Sequence, residues 1–193
     1  MRIAFPFHTP DRYQKEMYYK EDKTPGRVVP NRDAKYLGLA WMIAGFSKDP
    51  DTQVGALIVD PEENVPLGWG YNGPPSTTKD NEVNWARPHK YDWIFHAEEN
   101  AIFHSQKSVK GTHLYLTHIP CKKCMLTIAK HKISKVIFSN PTINEGSSLS
   151  KNSDGIAKTK EIARANGITL QPFEESLAWL EDWILNIKEL DIF

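Results

Sequence analysis

"THLYLTHIPCKKCMLTIAKHKISKVIFSN", residues 112–140, decides the fold. "THLYLTHI" (112–119) reads as a strand, "CKKCMLTIAKH" as a helix starting at the first cysteine, and "KVIFSN" as a second strand. A full helix between two strands implies parallel neighbours joined by a right-handed crossover. Upstream, "VGALIVD" (54–60) reads as a buried strand, "PEEN" as a turn and "VPLGWGY" as the hairpin partner. From Asp33, the positions Leu37, Ala40, Trp41 and Ala44 recur at helical spacing, and "SKDPD" ends that helix. A helix of roughly twelve residues is expected to begin near His96. "DGIAKTKEIARANG" is a helix closed by its glycine, and "ITLQPF" is the last strand. The sequence therefore predicts an α/β fold, a three-layer α/β/α sandwich around a mixed five-stranded sheet. Residues 31–193 form the single expected domain, preceded by an irregular arm at 1–30. A C-terminal helix is expected at about 174–193, with Leu177, Leu180, Trp183, Ile184 and Ile187 on one stripe. Residues 73–92 form a long loop, and loops of that length in compact domains are often functional.

Composition narrows the class of function. A chain of 193 residues buries a substantial core without cross-links. The N-terminus is too polar for a signal peptide and no run approaches membrane-spanning length, so a soluble, cytoplasmic protein with no membrane partner is expected. Lysine plus arginine equals aspartate plus glutamate at 24 each, whereas proteins that grip long nucleic acid carry a basic excess. No nucleic-acid partner is therefore expected. The charge is uneven along the chain: seven lysines and no acidic residue lie between Ala101 and Asn144. That stretch is either a solvated face or a draw for a small anionic ligand near the cysteines.

Cys121 and Cys124 are the only cysteines, three residues apart behind Pro120. Two cysteines make no disulfide framework, and they leave three readings: a redox pair, half of a structural zinc knot, or two ligands of a catalytic metal. "HAEENAI" (96–102) separates them. His96 opens one helix and Cys121 the next, and two helix starts beside neighbouring parts of one sheet can face each other. Cys121 and Cys124, at i and i+3, share a face of the first turn, where unpaired N–H groups favour thiolate. Three ligands, His96, Cys121 and Cys124, leave a fourth zinc position open, the mark of a catalytic site. His104, His113, His118 and His131 are the residues that could instead close a structural knot. Glu98, two residues after His96, completes the pattern as a proton carrier that does not coordinate. A redox pair has no use for a His-x-Glu opening a separate helix, and a module that only folds around zinc has no use for Glu98.

The pattern H-x-E…P-C-x-x-C is the signature of zinc-dependent nucleobase deaminases. From Asp33 to Phe173 the chain also resembles the deoxycytidylate (dCMP) deaminase family. "SKDPDTQVGALIV", "GYNGPP", "KYDWIFHAEENAI" and "VKGTHLYLTHIPCKKC…ISKVIF" carry the likeness. Glu99 departs from it, standing where the family pattern "HAELNA" has an apolar residue. The resemblance implies hydrolytic deamination of dCMP to dUMP and ammonia, supplying dUMP for thymidylate synthesis. It implies one Zn2+ per subunit on His96, Cys121 and Cys124, with Glu98 as proton shuttle. The amide of Ala97 and the carbonyl of Ile119 would read the pyrimidine edge. Asn72 would hydrogen-bond the sugar, or belong with Tyr71 and Gly73 to an effector-binding loop. The resemblance further implies a homohexamer, activated by dCTP and inhibited by dTTP, with Mg2+ accompanying the triphosphate. Rival substrates within the wider superfamily are a tRNA adenosine, a cytosine in single-stranded DNA, or a riboflavin-pathway pyrimidine.

Overall fold

The computed structural model describes residues 19–21, 28–139, 153–174 and 177. Its central sheet forms where short apolar runs read as buried strands. Strand β3 (Gly55–Asp60) pairs antiparallel with β4 (Val65–Tyr71) across a turn at residues 61–64, where Asn64 takes a positive φ of 58°. On its other side β3 pairs antiparallel with β5 (His113–Leu116). Strands β6 (Lys135–Ser139) and β7 (Thr169–Phe173) then continue in parallel, giving the order β4-β3-β5-β6-β7. This is the mixed five-stranded sheet expected.

Alternation along the strands separates two cores. Ala56, Ile58, Leu114, Leu116 and Val136 point to one face, beneath helices α2 (Ala97–Phe103), α3 (Lys122–Lys130) and α4 (Ser153–Ala165). Leu57, Val59, Tyr115 and Ile137 point to the other, beneath α1 (Arg32–Ala44). Helix α1 begins at Asn31, whose Oδ1 accepts the Ala34 amide at 2.8 Å, and inserts Ala34, Leu37 and Ala40. The layers are thus helix, sheet, helix.

Three features differ from the sequence expectation. Strands β4 and β5, joined through α2, do run in the same direction, but β3 lies between them rather than leaving them neighbours. Helix α2 has seven residues instead of twelve. It stops at His104, and Ser105 turns its hydroxyl to the carbonyls of Leu67 and Lys107. In the arm read as irregular, β1 (Tyr19–Glu21) and β2 (Val28–Pro30) form a two-stranded antiparallel sheet. The C-terminal helix expected at 174–193 lies outside the described residues except for Glu174 and Leu177, and Leu177 is buried in the core beneath α1. No helix among the described residues is long and apolar enough to cross a membrane.

Two glycines bring α2 to its place. A Cβ on Gly68 would lie 2.6 Å from the Ala101 carbonyl oxygen. One on Gly70 would collide with the Ala101 amide and lie 2.7 Å from the Ala97 carbonyl. The motif "LGWGY" therefore lets the α2 backbone rest directly on β4, which fixes where His96 and Glu98 stand.

Candidate active site

His96 and Cys121 are each the residue that caps a helix, and both have extended backbones: φ −76°, ψ 157° at His96 and φ −72°, ψ 165° at Cys121. Cys124 follows in the first turn of α3, its amide donating to the Cys121 sulfur at 3.5 Å. Both helix starts follow strands of the same sheet, at the edge where ligands collect in α/β proteins. His96 Nδ1 lies 3.7 Å from Cys121 Sγ and 3.3 Å from Cys124 Sγ. Tetrahedral zinc, with bonds of about 2.0 Å to nitrogen and about 2.3 Å to sulfur, sets such atoms about 3.5 to 3.8 Å apart. The donor set fits zinc in type and spacing. Among the described residues it is the one cluster of its kind, and no fourth His, Cys, Asp or Glu joins it. His104 instead contacts the Trp69 carbonyl, and His118 contacts Thr117 Oγ1 and the Trp41 ring.

The charges suit a cation. Hydrogen bonding from the Cys124 side chain, helped by His96 and the Cys124 amide, holds the Cys121 thiol down at about 3 against the effect of burial. The bond to Cys121 and burial push the Cys124 thiol up. Glu98 is almost wholly buried, and burial raises its carboxyl to about 7, with His96 opposing. A carboxyl balanced there can take up a proton and give it back near neutral pH.

The backbone groups assigned from the resemblance belong to residues that neighbour His96 and Cys121 in sequence. Ala97 is the first residue of α2, so its N–H has no acceptor within the helix. Ile119 lies half-buried in the turn between β5 and the Cys121 cap. Asn72 is held by bonds within the protein. Its Oδ1 accepts the Val54 amide at 2.7 Å, and its Nδ2 donates to the Thr52 carbonyl at 3.0 Å and to Asp49 Oδ2 at 3.2 Å. Both amide hydrogens are spent inside the protein. Gly73 exchanges two backbone bonds with Phe95, the residue before His96, and the Tyr71 carbonyl accepts from Asn100 of α2. The "GYNG" turn thus splices β4, the 49–54 loop and the start of α2 together.

Two features go beyond the sequence reading above. Lys90 is buried in the long loop, with Nζ 3.0 and 2.8 Å from the two oxygens of Asp49 and 3.4 Å from Asp51. Arg87 reaches Asp51 and Thr52 alongside it. These bonds lash residues 87–90 to the "SKDPD" loop, and nothing local in either segment announces the pairing. Glu99, buried as well, accepts the His96 amide on Oε2. A Glu three places after a helix cap is a capping-box spacing, and that signal was available. Tyr91 and Trp93, in the same loop, keep much of their surface exposed.

Comparison with known proteins follows these residues closely. The family description "cytidine and deoxycytidylate deaminase zinc-binding region" matches residues 30–140. The deoxycytidylate deaminase of Pongo abelii is 32% identical over 145 residues, covering 72% of this chain and 77% of its own. The crystal structure of the dCMP deaminase of cyanophage S-TIM5 without ligand superposes with a TM-score of 0.55 at 26% identity, over 73% of this chain and 96% of that one. The same phage enzyme in complex with dCMP and dUMP gives 0.56 over 76% and 100%, and at 24% identity speaks to the fold alone. The matched region takes in four of the five sheet strands together with His96, Glu98, Cys121 and Cys124, and this chain belongs to the cytidine and deoxycytidylate deaminase family.

Proposed function

We propose that the chain converts dCMP and water to dUMP and ammonia. The observation that carries this reading is the 32% identity to a deoxycytidylate deaminase over most of both chains, coincident with the His96–Glu98–Cys121–Cys124 site. His96, Cys121 and Cys124 would hold one zinc per chain. Zinc bound in such a set lowers the pKa of a coordinated water from about 15.7 to about 7, supplying a nucleophile at neutral pH. Glu98 accepts the proton from water, holds it for the ring nitrogen as C4 is attacked, and passes a proton to the departing amine. The Ala97 amide and the Ile119 carbonyl orient the pyrimidine. Asn72 serves the sugar pocket through the loop it fastens, with only the remaining lone pair of Oδ1 open to a ligand.

The same reading extends to regulation and assembly. dCTP with Mg2+ activates and dTTP inhibits, at a site built around Tyr71, Asn72 and Gly73, within a homohexamer that supplies dUMP for thymidylate synthesis in the cytoplasm. One fact supports assembly: Phe46 and Trp69 stay exposed and pack with Tyr71 beside edge strand β4. Steady-state assays test the proposal. dCMP should be deaminated far faster than deoxycytidine or a cytosine in single-stranded DNA, and the two triphosphates should shift the dCMP curve in opposite directions. Equal rates on deoxycytidine remove the phosphate from the account, and indifference to both triphosphates removes the regulation.

A further inference from the structure

Glu99 makes two bonds that meet the metal site from both sides. Its Oε2 accepts the backbone N–H of His96 at 3.1 Å, and its Oε1 lies 3.3 Å from Lys123 Nζ. Lys123 stands between Cys121 and Cys124 in the first turn of α3. One carboxylate therefore links the residue that offers Nδ1 to the turn that offers both sulfurs. Among the described residues no other ion pair joins α2 to α3. A carboxylate buried to 7% exposure needs partners to offset its lost hydration, and these two bonds provide them. The departure from the apolar residue of "HAELNA" thus has a physical use.

We infer that Glu99 is a positioning residue that braces His96 against the cysteine-bearing turn and so slows release of the metal. The inference rests on the zinc reading given above. Glu99 touches neither substrate nor metal. It fixes the backbone from which His96 projects, and it holds the α3 turn at its present distance. Losing a partner of a metal ligand costs about 10- to 100-fold in metal affinity. The lower end applies here, because Glu99 grips the His96 backbone rather than its ring, and Lys123 is 76% exposed.

Zinc transfer from the purified, zinc-loaded full chain to a chromogenic chelator tests the brace. Glu99→Leu supplies the apolar residue of the family pattern, so the fold accommodates it, and it should release zinc about tenfold faster. Glu99→Gln keeps an oxygen for the His96 amide but turns a donor toward Lys123, so its release rate should fall between those of the parent and Glu99→Leu. A purely structural role would lower the melting temperature of metal-free and loaded protein alike and leave the release rate where it was. Release from Glu99→Leu at the parent rate overturns the brace, as does Glu99→Gln releasing as fast as Glu99→Leu. A parent chain that holds no zinc at all overturns the metal reading, and the brace with it.

Discussion

At Glu98 the decisive quantity is the cost of charge in a buried place. Burial moves its carboxyl from an ordinary value up to about 7, where uptake and release of a proton are nearly balanced at neutral pH. Glu98→Gln keeps the shape and cannot carry the proton, so turnover should fall by about 10²- to 10⁴-fold while zinc stays bound. Near-normal turnover in that variant would move the shuttle to another residue. The sign of the pH dependence follows from the same group. Only the ionised carboxylate accepts a proton, so kcat/KM falls as pH drops through its pKa, and a neighbouring zinc pulls that pKa down from about 7. The acid limb should therefore have its midpoint below about 7, and a profile that rises toward acid contradicts the role. The clustering of His96, Cys121 and Cys124 was legible in the sequence because metal chemistry admits few residue types at few spacings. The bonding of Asn72 to the 49–54 loop was not, since nothing local to a turn asparagine shows which distant backbone groups its amide meets.

Among elements, the long loop before α2 shows how a flexible-looking segment is held. Lys90 and Asp49 are both nearly inaccessible and 2.8 Å apart, and Asn72 shares the same carboxylate. Removing one partner of such a pair strands the other charge, at about 3–5 kcal/mol. Lys90→Met should lower the melting temperature by roughly 10 °C, since each kcal/mol is worth about 2–4 °C at this size. Adding Asp49→Asn to Lys90→Met should recover part of the loss, because the stranded charge is then gone. A single variant that melts within about 2 °C of the parent would show the pair to be dispensable. Strands and the longer helices were legible because their apolar periods repeat over whole segments. The length of α2 was not, because its end depends on Ser105 meeting Leu67, a contact between distant parts of the chain. The ion pair of Lys90 with Asp49, 41 residues apart, escaped for the same reason.

For the molecule as a whole, topology does what neither motif can do alone. Parallel strands β5 and β6 enclose the crossover that starts at Cys121, while the antiparallel β3–β4 hairpin carries α2 on its glycines. The two helix starts are thereby set face to face, and ligands 25 residues apart in sequence come within 3.7 Å. The strand–helix–strand segment at 112–140 implied the sheet and its parallel half. The insertion of β3 between β4 and β5 was hidden, because strand order is settled by packing on both faces rather than by any local pattern. On the proposed reading, a single zinc held by three residues makes this chain a dCMP deaminase. Zinc added stepwise to chelator-treated protein, with dCMP turnover recorded at each addition, puts that reading to the test. Turnover should rise linearly and level off at about one zinc per chain, as a site with three protein ligands and one open position requires. Full turnover before any zinc is added, or a rise that continues to two zincs per chain, would contradict it.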